Sequence, residues 1–139
     1  MGKDSKAIGK FTIIIEEARL ERDTASFLEM DPYMVVNHKD NKYKTKTAYS
    51  GGKHPKWEKE KLELFPEADH DIIDIHLFDN GMLSDESIGS YQMLVNQVAK
   101  GEKMRDWFKL DHNGETVGEF CFEATFEEIE EEEEEKPQE

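Results

Sequence analysis

Strict alternation of apolar and polar residues is the feature that most narrows what this chain can become. Phe11, Ile13 and Ile15 alternate with Thr12, Ile14 and Glu16; Ile73, Ile75 and Leu77 oppose Asp74 and His76; Phe120, Phe122, Ala124 and Phe126 oppose Glu119, Cys121, Glu123 and Thr125. A period of two sends successive side chains to opposite faces of an extended strand, so each stretch buries one face. Five further stretches fit the same element. Pro32–His38 is rich in β-formers, and Lys42–Thr47 alternates strictly, with Asp40-Asn41 as the turn between them. Leu62 and Leu64 share a face of a fourth strand, Ile88–Met93 restarts as a sixth, and Arg105–Leu110 makes a seventh. Ser50-Gly51-Gly52, Pro55 and Asn113-Gly114 punctuate the series, and residues 94–103 leave room for a short helical turn. Eight short strands without a long helix predict an all-β fold, an eight-stranded antiparallel Greek-key sandwich. At 139 residues the chain has material for one core.

Charge divides the chain into unlike parts. Acids outnumber bases 33 to 18, a net −15, yet residues 127–139 hold nine Glu and one Lys, leaving 24 against 17, or −7, for residues 1–126. An acidic body lacks the basic footprint that displaces phosphate counterions, so nucleic acid is excluded as a partner. The polyglutamate run after Ile129 repels itself and has too little to bury. We therefore expect an N-terminal extension at 1–8, a domain at 9–127 and a disordered acidic tail at 128–139. The single cysteine, Cys121, excludes an internal disulfide and a multi-thiolate zinc site and fits a reducing, cytoplasmic compartment. No apolar run approaches the length of a transmembrane segment, and the N-terminus leads into no apolar signal core. The five histidines are dispersed, and no nucleophile elbow or catalytic-cysteine context is present, so an enzyme is not expected.

Against this acidic background the segment Lys39–Lys61 carries eight lysines and only Asp40, Glu58 and Glu60, a net +5. Lys42, Lys44 and Lys46 stand at i, i+2 and i+4, which places three ammonium groups on one face of one strand. Such a row either protects an exposed strand from aggregation or forms a landing surface for anions.

Gly9-Lys10-Phe11, Ala18-Arg19-Leu20, the loop entering a strand through Met30-Asp31-Pro32-Tyr33, Pro55-Lys56-Trp57-Glu58, and Phe78-Asp79 followed by an acidic loop and Ile88-Gly89 occur in a set order. With these fragments the chain resembles a C2 domain, the calcium- and phospholipid-binding sandwich, in its second topology, over roughly residues 9–127. The resemblance implies a calcium site built from carboxylates of two loops, because a hard cation takes six to eight oxygens. Asp31 matches one ligand of the first loop, but the position six residues earlier is Ala25, and Asp23 is out of register. Asp79 matches the leading ligand of the second loop, but Gly81 stands where another Asp belongs, leaving Asp85 or Glu86 as the last. Calcium is the one cofactor implied, at a depleted site, and Asp31 and Asp79 either retain weak affinity or cap their loops.

The resemblance also implies a phosphoinositide-binding surface at Lys42, Lys44 and Lys46, with Tyr33, Trp57 and Lys59 beside it, and lipid-inserting loop tips at Phe27, Leu28, Met82 and Leu83. The expected function is a non-enzymatic, peripheral phospholipid-binding module. The alternative is a calcium-independent protein-interaction scaffold in a cytoskeletal or ciliary assembly. A calcium buffer resting on the Glu tail ranks last, because glutamates without a backbone scaffold make only a loose polyelectrolyte.

Overall fold

The computed structural model describes residues 7–25 and 28–129. Phe27 and the segment 130–139 lie outside the described residues. Eight antiparallel strands follow one another: β1 (Gly9–Leu20), β2 (Pro32–His38), β3 (Asn41–Lys44), β4 (Lys56–Leu64), β5 (Ile72–Asp79), β6 (Glu86–Leu94), β7 (Lys103–His112) and β8 (Glu115–Glu128). A 3-10 turn, Val95–Gln97, occupies the stretch between β6 and β7.

The strand order is β3-β2-β5-β6-β7-β8-β1-β4. Only Ser90 and Asp111 pair between β6 and β7, so the ribbon divides there into two four-stranded layers. Gly89 makes this crossing close: a Cβ on it would lie 2.8 Å from Val117 Cγ2 and 3.2 Å from the Leu110 Cβ. The core between the layers takes Phe11, Ile13, Ile15, Phe120, Phe122 and Phe126 from one and Met34, Val36, Ile73, Ile75, Leu77 and Met93 from the other. Burial of these side chains is the main force holding the layers together.

Two details depart from simple alternation. In β1 the register slips between Ile15 and Glu17, so Glu16 is the extra residue of a bulge. The slip changes which parity faces inward: Phe11, Ile13 and Ile15 are buried before it, Ala18 and Leu20 after it.

The second departure corrects the expected third strand, which ends at Lys44 rather than Thr47. Thr45 N–H still donates to the Met34 carbonyl at 2.9 Å, but Met34 N–H donates to the Thr45 hydroxyl at 2.9 Å instead of to backbone. The side chain has taken the place of the next ladder bond, and the chain turns away toward β4. There the Lys46 N–H reaches Glu60 Oε2 at 2.9 Å and the Lys46 carbonyl accepts from Trp57 Nε1 at 3.0 Å. Lys46 therefore leaves the strand that carries Lys42 and Lys44. The β2–β3 turn also falls one residue earlier than expected, on Lys39 and Asp40, with Lys39 at φ 54.

Candidate functional site

Three connections meet at one end of the sandwich: residues 21–31 between β1 and β2, 45–55 between β3 and β4, and 80–85 between β5 and β6. Asp79, at the end of β5, ties the first to the third. Its Oδ1 accepts from the Asp31 N–H at 2.8 Å and its Oδ2 from the Thr24 hydroxyl at 2.7 Å. Asp31 ties in the second, because its Oδ1 accepts from the Ser50 N–H at 2.6 Å while its carbonyl accepts from Asn80 N–H at 3.0 Å. Asp85 accepts from the Gly81 N–H at 3.1 Å and from the Tyr33 hydroxyl. Burial, with the hydrogen bond and charge of Asp85 added, pushes the Tyr33 phenol up to about 12. Asp23 turns back on its own loop and accepts from Ala25 N–H at 3.0 Å. Among the described residues no group of three or more His, Cys, Asp and Glu side chains is placed to hold a metal ion.

The tips of the same connections are apolar and open. Leu28 is 83% exposed, Met82 94%, Leu83 98% and Tyr49, on the 45–55 connection, 75%. Gathered at one end of a small domain, they form the kind of apolar cluster that marks a contact surface.

The outer face of the layer β3-β2-β5-β6 runs down from these tips. Direct pairing sets Val35 between Lys44 and His76, and Asn37 between Lys42 and Asp74. Lys44 Nζ lies 4.4 Å over the Tyr33 ring, which stacks on Phe78 at 5.6 Å, and Phe78 stacks on His76 at 4.3 Å. His76 Nε2 is 2.8 Å from the Ser87 hydroxyl. Burial and the neighbouring His112 hold His76 below the ordinary imidazole range, with Asp74 opposing them. Past His76 an open groove of about 630 Å³ is lined by Asn37, Asp74, Ser90, Gln92 and Asp111.

A family model described as "C2 domain" matches residues 8–110. The chain belongs to the C2 domain family. Solved structures with the same fold include a C2 domain of plant extended synaptotagmin 1, at a TM-score of 0.81 and 14% identity over 91% of this chain and 99% of that one. Human GIVD cytosolic phospholipase A2 matches at 0.77 and 23% identity over 91% of this chain and 17% of its own. A calcium-bound structure of two C2 domains of extended synaptotagmin 2 matches at 0.75 and 22% identity over 88% of this chain and 47% of its own. The present chain thus spans a minor part of the last two.

Within this C2 domain the sequence-predicted residues fall into separate groups. Asp31 and Asp79 are joined by a hydrogen bond at the loop end and Asp85 binds Gly81 and Tyr33 instead, whereas Asp23 keeps to the first loop and Glu86 opens β6 opposite Asp79. Lys42 and Lys44 share the outer face, with Tyr33 beneath Lys44, and Lys46 lies apart. Trp57 is 3% exposed and belongs to the core, so its ring has no face open to a headgroup. Lys59 sits on the other layer, close enough to Glu16 to act on its carboxyl. Tyr49, Thr24, Ser50, Phe78 and His76 join this end and face without having been marked as site residues by the sequence; for Tyr49 the signal present is an aromatic residue directly before the Ser50-Gly51-Gly52 turn.

Proposed function

We propose that this C2 domain is a non-catalytic module that docks on anionic phospholipid through Leu28, Tyr49, Met82 and Leu83 at its tips and Lys42 and Lys44 on the adjoining face, without requiring calcium. The observation that carries the reading is continuity: Lys44 covers Tyr33, whose hydroxyl reaches Asp85 in the very loop that exposes Met82 and Leu83. A membrane touching the tips therefore also meets the lysines. Full burial of one Leu or Met side chain is worth about 1.5–3 kcal/mol, and each lysine near an anionic surface about 1 kcal/mol. Together these terms suffice for reversible adhesion despite the acidic body.

Calcium independence rests on how the carboxylates are used. Asp79 spends both oxygens on the first connection, one on the Thr24 hydroxyl and one on the Asp31 N–H, and Asp31 and Asp85 hold backbone N–H groups. With Ala25 and Gly81 at the other two positions, the residues present do not fit a cation that needs six or more oxygens. The acids act as loop staples, doing through hydrogen bonds what a bound ion does elsewhere. A phosphoinositide headgroup suits the pair Lys42 and Lys44 better than a single-charge lipid does, since two ammonium groups on one strand face match clustered phosphates.

Co-sedimentation with vesicles of phosphatidylcholine alone, with phosphatidylserine, and with a phosphoinositide tests the reading. Binding should rise in that order and should fall for Leu83→Ser and for Lys42→Ala with Lys44→Ala. Absence of binding to every composition would discard it in favour of a protein partner for the same tips.

A further inference from the structure

The loop that exposes Met82 and Leu83 is closed on itself. A Cβ on Gly81 would lie 2.1 Å from the Ser84 carbonyl oxygen, so the turn is tight and its first corner has room for glycine alone. Asp85 Oδ1 accepts from the Gly81 N–H at 3.1 Å and shuts the same turn from its other side. Residues 81–85 therefore move together. Besides the strands it connects, two fastenings tie this loop to the body. At its start the Asn80 N–H donates to the Asp31 carbonyl at 3.0 Å and the Asn80 side-chain amide to the Thr47 hydroxyl at 3.2 Å. At its end the second oxygen of Asp85 accepts from the Tyr33 hydroxyl.

Tyr33 is firmly set. It is buried, its ring stacks on Phe78 at 5.6 Å, and Lys44 Nζ lies 4.4 Å over the ring. Its hydroxyl remains a donor across the physiological range, because burial and Asp85 push the phenol up to about 12. The ring under Lys44 and the hydroxyl that holds the loop belong to one residue, which has little surface left for a lipid to touch. We infer that Tyr33 is the positioning residue of the docking end: its hydroxyl, through Asp85, fixes Met82 and Leu83 relative to Lys44, so that apolar tips and ammonium groups meet a membrane as one preformed surface. The holding of the loop stands on the geometry; its effect on docking rests on the function proposed above. A loop already in place has no ordering cost to meet on contact, which leaves more of the insertion free energy for binding.

Tyr33→Phe removes one oxygen and keeps the ring. NMR relaxation of the backbone amides of the full chain, without lipid, reads the holding. Order parameters of Met82 and Leu83 should fall from the rigid range near about 0.85 toward about 0.6, with Lys42 and Lys44 unchanged. Asp85→Ala, which removes the acceptor at an exposed position, should loosen the tips at least as much. Unchanged order at Met82 and Leu83 in either variant overturns the holding. Vesicle co-sedimentation then reads the consequence. Tyr33→Phe should weaken phosphoinositide-vesicle binding about fivefold in the parent, but less than about twofold in a Met82→Ser, Leu83→Ser background, where the loop has nothing to insert. A loosened loop with parent affinity overturns the positioning role, and so does an equal loss in both backgrounds, which is what a general weakening of the fold would give. Loosened tips with no vesicle binding by any of these proteins uphold the holding and reject the lipid reading.

Discussion

Two groups of cations on the outer faces of this sandwich are used in opposite ways. On the layer β7-β8-β1-β4, Lys103 meets Glu123 at 2.9 Å, the Arg105 guanidinium forks onto Glu16 at 2.7–3.2 Å, and Arg19 lies 4.0 Å over Trp107 and 3.6 Å from Glu119. On the layer β3-β2-β5-β6, Lys44 rests on the Tyr33 ring and neither it nor Lys42 has a carboxylate partner among the described residues. Cations of the first kind are spent within the sheet, where exposed pairs add little stability and leave no field for a ligand. Those of the second kind keep their charge for whatever approaches. On the function proposed above, what marks the β3-β2-β5-β6 face is that Lys42 and Lys44 lack cross-strand partners among the described residues, and not the number of lysines.

The largest expected effect separates the faces directly. Lys42→Glu with Lys44→Glu should weaken phosphoinositide-vesicle binding by on the order of 30-fold or more, from about 1 kcal/mol lost per lysine and further repulsion gained. Thermal unfolding should stay where it was, since neither side chain holds the fold. Next in size, Leu83→Ser should lower vesicle affinity about tenfold, the share of its transfer free energy realised by partial insertion. Its 98% exposure predicts unchanged stability by urea titration.

On the opposite face the signs reverse. Arg105→Ala should lower the urea midpoint and leave vesicle binding alone, because it strips Glu16 of its fork beside the buried Cys121 thiol. The Arg105 hydrogen bond holds the Glu16 carboxyl below its ordinary range against the opposing pull of burial. That part of the stability is present above the unfolded carboxyl value and is lost as pH falls through the folded one.

The smallest effect belongs to His76. Burial and His112 depress its folded pKa below the unfolded value near 6.5, so below that pH the unfolded chain takes up the proton more readily. Stability should decline as pH falls below 6.5, and His76→Gln should flatten the decline when unfolding is followed by circular dichroism between pH 7 and 5.

Alternation made the eight strands and their inward faces readable, because a period of two is a local property of the residues. Two features escaped it for the same reason: both depend on a partner distant in sequence. Glu16 as the bulged residue follows from the pairing of β1 with β8, and the early end of β3 follows from the Thr45 hydroxyl capturing the Met34 N–H. Lys46, counted with its neighbours by spacing, was lost to the face through that single hydrogen bond. The C2 resemblance points to Asp31, Asp79 and Asp85, but their hydrogen bonds to the Thr24 hydroxyl and to the Ser50 and Gly81 N–H groups are not legible, since such loop partners carry no sequence signature. Trp57 shows the converse, an aromatic residue beside lysines that reads as a headgroup contact until packing places it in the core.

The central claim is that the loop acids hold the loops themselves, so that membrane docking needs no metal. Flotation of the full chain with one set of phosphoinositide vesicles, in millimolar calcium and in chelator, measures this most directly. The account predicts equal recovery in the two conditions. Recovery with calcium and none with chelator would contradict it.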